Sequence, residues 1–230
     1  MLTLAVFKSA AVVAGLSGLA ITAFLQWGES GAPAIAMRKV EMPHGAHLMV
    51  GIHEVTRAQW QACVKARACE AIRSGKTTPQ DVPMTGVNHL DAEAFVVWMN
   101  KVSGLAYRLP SAGEWKVIAT ELPRPAYARR FTDPRLEWAA NYGAMQRVSS
   151  VVRPGGTFGT YGNGISDLAG NVWEWTSTCT PGADESRCPA YVAEGLHEAI
   201  VPLFVREPAS GGCATGAPPA NVGFRLVRDE

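Results

Sequence analysis

Gly170-Asn171-Val172-Trp173-Glu174-Trp175-Thr176 is the stretch whose reading decides the fold. It lies in a short apolar segment, Ile165 to Trp175, in which Trp173 and Trp175 read as core anchors at the exit of a Gly-containing turn. Asp167 and Glu174 are hard carboxylates seven residues apart that bracket this turn. With the turn's carbonyls facing inward they make an oxygen-only ligand set of the kind that suits calcium. The alternative reading is that Glu174 and Asn171 satisfy buried backbone groups and nothing more.

Toward the N-terminus the chain announces helices. Thr56 and Gln59 form a T-x-x-Q capping box, followed on one face by Trp60, Cys63 and Val64. Asp91 starts a second helix whose Phe95, Trp98, Met99 and Val102 recur at helical spacing as a core stripe, and Gly104 ends it. Ser111 and Glu114 cap a third, ahead of Trp115, Ile118 and Ala119. Val40 to Val55 alternates weakly and is broken by Pro43, Gly45 and Gly51, which predicts short strands. Val222 to Arg228 alternates as a terminal strand should. Leu122 to Pro134 lacks periodicity and reads as a long surface loop. With 23 Gly, 15 Pro and seven Trp, the composition points to a loop-rich α+β domain of short strands and about three helices.

Twenty-one Lys and Arg balance twenty Asp and Glu, without a long single-sign run, so charge gives no sign of a nucleic-acid partner. Residues 1–36 read as a targeting segment: Lys8 precedes an apolar run from Ser9 to Leu25, and Ala34-Ile35-Ala36 offers a cleavage site. A cleaved signal peptide is expected, with a retained membrane anchor as the alternative. Residues 37–230 then form one domain. Cysteine usage agrees with export, because Cys63 with Cys69 and Cys179 with Cys188 each flank a short loop that a local disulfide can close. Neither pair has zinc spacing. Cys213 is left over and reads as a free, largely inert thiol, with a redox or intermolecular role as the alternative.

Five ordered motifs carry a resemblance to one family. Glu54-Val55-Thr56-Arg57-Ala58-Gln59-Trp60, the bracket Cys63 to Cys69, Pro83-Met84-Thr85-Gly86-Val87-Asn88 with Asp91-Ala92, Tyr107-Arg108-Leu109-Pro110-Ser111-Ala112-Gly113-Glu114-Trp115, and the opening stretch closed by Gly223-Phe224-Arg225 together resemble the formylglycine-generating (sulfatase-modifying factor) enzymes. The resemblance spans about residues 50 to 228 and implies their fold, a variant of the C-type lectin architecture. It also implies one structural Ca²⁺ held by Asp167 and Glu174 through side chains and by Gly170 and Val172 through carbonyls. A second family calcium site is matched in half by Asn141 and Tyr142, the loop for the other half being shortened to Gln146 to Pro154.

Family catalysis uses two nearby thiols that bind copper, a soft cation that needs soft ligands. The corresponding stretch here, Phe204 to Pro219, holds Cys213 alone, and no H-E-x-x-H, G-x-S-x-G or phosphate loop occurs elsewhere. The expectation is therefore a pseudoenzyme with no copper: a non-catalytic interaction and regulatory module of the bacterial periplasm. Similarity to the TagR-type accessory regulators of type VI secretion implies action upstream of a Ser/Thr kinase, with the periplasmic domain of that membrane kinase as partner. Candidate surface anchors lie in Arg124 to Arg135 and in Ala190 to Val205. Cysteine oxidation to formylglycine and calcium-dependent glycan binding are the alternatives.

Overall fold

The computed structural model describes residues 32–72, 79–122, 151–180, 188–195, 198–204, 206 and 221–230. Two small sheets, three α-helices and a short 3-10 helix at Pro43–Gly45 make up the regular structure among these residues. The first sheet has the order β1-β2-β7, from Met37–Glu41 (β1), His47–Gly51 (β2) and Val227–Asp229 (β7), all antiparallel. The second has the order β5-β4-β3-β6, from Ala199–Pro202 (β5), Ala190–Glu194 (β4), Trp173–Cys179 (β3) and Val222–Gly223 (β6), with β3 and β6 parallel. The mixed α+β fold expected from the sequence is present.

The helices start where side chains satisfy their orphan N–H groups. Thr56 and Gln59 close a reciprocal capping box on α1, Arg57–Lys65, and Ser111 with Glu114 does the same for α3, Ala112–Ile118. The second helix, α2, runs His89–Ser103 and begins two residues before the position expected, because Asn88 is its cap and Asp91 is the third helical residue of an N-x-x-D box. Gly104 ends it with φ 71°, a left-handed conformation that glycine adopts without Cβ strain.

Two cores result. Trp60 stacks on Phe95 with ring centroids 5.9 Å apart, and both meet Phe224 edge-on. With Trp175, Met84, Met99 and Leu226 they fill the space between α1, α2 and the second sheet. A smaller core packs Val40, Leu48, Val50 and Val227 of the first sheet against Trp115 and Ile118 of α3, with Ile165 and Leu168.

Ala32 is buried and the N–H of Ile52 donates to the Ala36 carbonyl, so residues 32–36 pack with the domain. Two expectations need correction. The terminal strand is two strands, β6 and β7, since the chain between them leaves the second sheet to join the first. The stretch Ala190 to Val205 is not a surface anchor for the most part, because β4 and β5 pair along Ala190–Ala193 and bury Ala190, Val192, Ala193, Ala199 and Val201. The expected leader through residue 31, the anchor loop Arg124 to Arg135, Asn141, Tyr142, Gln146 and Cys213 lie outside the described residues. No helix among the described residues is long and apolar enough to cross a membrane.

Candidate functional site

The turn and strand that decide the fold lead to a buried polar centre organised by Arg225. This residue sits between β6 and β7 with no solvent exposure. Its Nε and Nη2 fork the Glu174 carboxylate at 2.8 and 2.7 Å. Its Nη1 donates to the carbonyls of Gly51 and Ile52 at 2.7 and 2.9 Å, and Nη2 also donates to Ser166 O at 3.0 Å. All five N–H donors of the guanidinium are thereby used. Glu174 accepts one further bond, from the Trp115 indole at 2.9 Å. One side chain thus ties the end of β2, the 165–168 turn, β3 and, through Glu174, α3.

Burial alone would lower the pKa of Arg225; the carboxylates of Glu174, Glu54 and Asp167 outweigh it and raise it. Glu54 is the anomalous member. It is 2 % exposed and neither carboxylate oxygen has a hydrogen-bond partner among the described residues. Burial pushes its pKa up to about 8 against the pull of Arg225, so the group is mostly protonated at neutral pH. A neutral Glu54 leaves one guanidinium facing one principal carboxylate, which is the balance a buried pair needs.

Asp167 belongs to the same centre but spends its oxygens differently. Its Oδ1 accepts the Phe158 N–H at 2.7 Å and its Oδ2 accepts the Gly156 N–H. His53 Nδ1 stands 3.7 Å from Oδ2. Burial raises the Asp167 pKa, and the nearby His53 imidazole together with the hydrogen bonds from Gly156 and Phe158 more than reverses that, leaving it lowered. Gly170 lies under Phe158, whose ring a Cβ would meet at 2.6 Å, so only glycine fits this turn. Its carbonyl accepts the Val172 N–H at 2.8 Å.

The calcium ligands expected from the sequence therefore sit together on one turn and strand, yet each carboxylate and the Gly170 carbonyl are engaged by protein donors. The positive charge facing Glu174 comes from Arg225. Among the described residues no group of three or more His, Cys, Asp or Glu side chains is arranged to hold a metal. No step is derived through calcium.

The other expected positions have plain structural roles. Asn171, at φ 67°, brackets Arg153 with two hydrogen bonds, Nδ2 donating to its carbonyl and Oδ1 accepting its N–H. Trp175 is fully buried and donates its indole N–H to Val87 O at 3.0 Å, and Trp173 packs under Gly195. Both expected disulfides are formed, Cys63–Cys69 and Cys179–Cys188. Of the chain's five cysteines that leaves Cys213, so the residues present supply no pair of thiolates and no step is derived through copper.

Arg225 and Glu54 stand in the quoted motifs, but the sequence reading assigns neither a role in the site. The signal was there: an Arg between Phe224 and Leu226, in an apolar terminal segment, and a Glu directly before the apolar Val55. A charged residue in such a run is buried only with a partner.

Comparison with known proteins agrees with this architecture. Residues 23–230 match the model of the sulfatase-modifying factor enzyme 1-like domain. Solved structures of similar fold include Treponema denticola variable protein 1 (TM-score 0.56, 15% identity, covering 85% of this chain and 95% of that one). PvdO from Pseudomonas aeruginosa (0.55, 16%, 86% and 93%) and CarF (0.53, 17%, 86% and 99%) are comparable. These identities show the fold alone. Hercynine oxygenase from Mycobacterium tuberculosis is 29% identical over 102 residues, which are 44% of this chain and 23% of that protein. The chain thus spans about a quarter of the length of this curated relative.

That relationship overturns the expectation that the chain is not an enzyme, since the relative is an oxygenase and the family is enzymatic. The physical reason is that a missing thiol pair argues against one metal chemistry and not against catalysis. On the extent of the family match, the chain belongs to the sulfatase-modifying factor enzyme 1-like, or formylglycine-generating, family.

Proposed function

We propose that this domain works in the bacterial periplasm as a recognition module acting upstream of the Ser/Thr kinase that controls type VI secretion, by binding the periplasmic portion of that membrane-spanning kinase. The observation that carries the reading is the pair of short-range disulfides, Cys63–Cys69 and Cys179–Cys188, on a scaffold rich in irregular loops. Such bridges persist in oxidising compartments and are rare where thiols are kept reduced. They brace loops, and loops on a rigid scaffold are where recognition is usually built. Association with the membrane through the N-terminal apolar segment belongs to the same reading. The test is deletion of this chain, followed by measurement of kinase-dependent phosphorylation and secretion, with export checked by fractionation. Unchanged phosphorylation and secretion, or a cytoplasmic location, would remove the proposal.

A second reading is favoured by the oxygenase relative: oxidative chemistry on a cysteine-containing peptide. It requires a metal held by something other than a cysteine pair of this chain. Oxygen uptake and peptide oxidation with copper or iron supplied would support it, and inactivity of folded, disulfide-intact protein with both metals would exclude it.

A further inference from the structure

An open groove of about 500 Å³ runs between the loop closed by the Cys63–Cys69 bridge and the outer face of α2. Ala66 and Ala68 form one wall; Ala94, Val97 and Trp98 form the other with Lys101 at the edge. The helix residues are spaced at i, i+3, i+4 and i+7, so they share one face of α2. This is a second stripe beside the one through Ala92, Phe95 and Met99 that fills the core. Val97 is 69 % exposed, an aliphatic side chain left in water on an ordered helix. At the floor, Trp98 is 7 % exposed and its indole N–H is buried without an acceptor among the described residues. A native fold seldom leaves such a donor unused without reason.

The charged part of the groove's lining is basic. Lys101 lines it, while Lys65 and Arg67 flank Ala66 in the loop and are exposed. No ion pair within the described residues engages Lys65, Arg67 or Lys101, and no carboxylate lines the groove. Of the nearest acidic residues in sequence, Glu70 pairs with Arg206, and Glu93 stands 3.5 Å from the His89 ring and does not line the groove. The loop wall is also fixed in shape. The bridge closes it, and Arg67 sits at φ 59°, so the Ala66 to Ala68 backbone is set before anything binds.

We propose that this groove is the docking site for an acidic segment of a partner protein whose aliphatic side chains pack on Ala66, Ala68 and Val97 while its carboxylates meet Lys65, Arg67 and Lys101. An apolar strip bordered by unpaired cations selects that chemistry: burial supplies affinity, and the basic rim supplies orientation and rejects basic segments. The inference rests on the reading of the domain as a periplasmic recognition module and names the surface and partner chemistry for it.

The experiment uses the exported, disulfide-intact protein and a fluorescein-labelled amphipathic peptide of Glu, Leu and Ala, with its Glu-to-Lys counterpart as control. The acidic peptide binds at least about tenfold more tightly than the basic one, and added salt weakens it. Val97→Asp and Lys101→Glu, both at exposed positions, each weaken binding by about tenfold or more with thermal unfolding unchanged. The Trp98 indole resonance, assigned with Trp98→Phe, shifts on saturation. Equal affinity for the two peptides, or full binding by both charged variants, overturns the proposal. So does loss, in those variants, of binding to anionic phospholipid vesicles but not to peptide, which would make the groove a membrane contact. Loss of self-association on sedimentation would likewise make it a contact between copies of this chain. If Val97→Asp loses peptide binding but kinase-dependent phosphorylation is untouched, the groove stands and the kinase reading fails. If Val97→Asp binds normally while deletion abolishes phosphorylation, the kinase reading stands and the groove fails.

Discussion

The guanidinium of Arg225 forks the carboxylate of Glu174, Nη2 to Oε1 at 2.7 Å and Nε to Oε2 at 2.8 Å, with both side chains buried. Removing one partner of such a pair leaves an uncompensated charge and costs about 3–5 kcal/mol. Arg225→Met is expected to lose about that much in urea unfolding. Arg225→Lys loses most of it, since an ammonium cannot fork a carboxylate and reach three carbonyls. Arg225→Met with Glu174→Leu recovers part of the loss; a double variant no better than Arg225→Met would show that the pair is not the source.

Two buried titratable groups set opposite pH limits on stability. Glu54 has its folded pKa raised from 4.5 to about 8 by burial, so the stability tied to its proton is present below pH 4.5 and lost as pH rises through 8. His89 has its folded pKa lowered from 6.5 to about 4 by burial, which outweighs its bond to the Thr176 carbonyl. Its contribution is present above pH 6.5 and lost as pH falls through 4. The two oppose each other between pH 4.5 and 6.5, and Glu54 alone acts from 6.5 to 8. Glu54→Gln should flatten the decline in melting temperature over pH 6.5 to 8, and His89→Gln should flatten the acid limb. A decline above neutrality that survives Glu54→Gln would assign it to another group.

The bridge between Cys63 and Cys69 closes the turn that ends α1. Cys63→Ala with Cys69→Ala should cost about 2 kcal/mol, the range for a short loop, seen as a lower urea midpoint. Dithiothreitol should lower the parent further than this variant, because the variant has one bridge left to reduce. Identical sensitivity in both would mean that the first bridge does not form in solution.

With Arg225 facing Glu174 and backbone N–H groups facing Asp167, the centre is balanced without an added ion. Chelation with EGTA is therefore expected to leave the melting temperature unchanged, as is added millimolar calcium. A rise of several degrees with calcium, abolished by Asp167→Ala, would reinstate the ion as part of the fold.

Much of this architecture was legible because its signals are local. Thr56 with Gln59 and Ser111 with Glu114 announce helix starts in a few letters, and Gly104 announces a stop. The helix α2 starts two residues earlier than the sequence suggests because Asn88 and Asp91 form a less familiar box, in which Asp91 serves the third position and not the first. The two disulfides were readable from loop length. The polar centre was not, because its meaning lies in sequence-distant contacts: Glu174 and Arg225 are 51 residues apart, and the carbonyls of Gly51 and Ile52 lie 174 and 173 residues from Arg225. Read alone, Glu174 and Asp167 are oxygen ligands awaiting a cation. Only the fold shows that the cation facing Glu174 is supplied by Arg225, near the C-terminal end of the sequence.

The pairing of β7 with β2, and of β6 with β3, has a consequence for biogenesis. Synthesis proceeds from the N-terminus, yet neither sheet gains its last member, nor the Glu174 carboxylate its counter-charge, until residues 222–229 emerge. Until then β2 and β3 each lack a neighbour. Both sheets and the buried ion pair can therefore be completed only after the last residues of the domain have been made, so the fold closes late relative to synthesis.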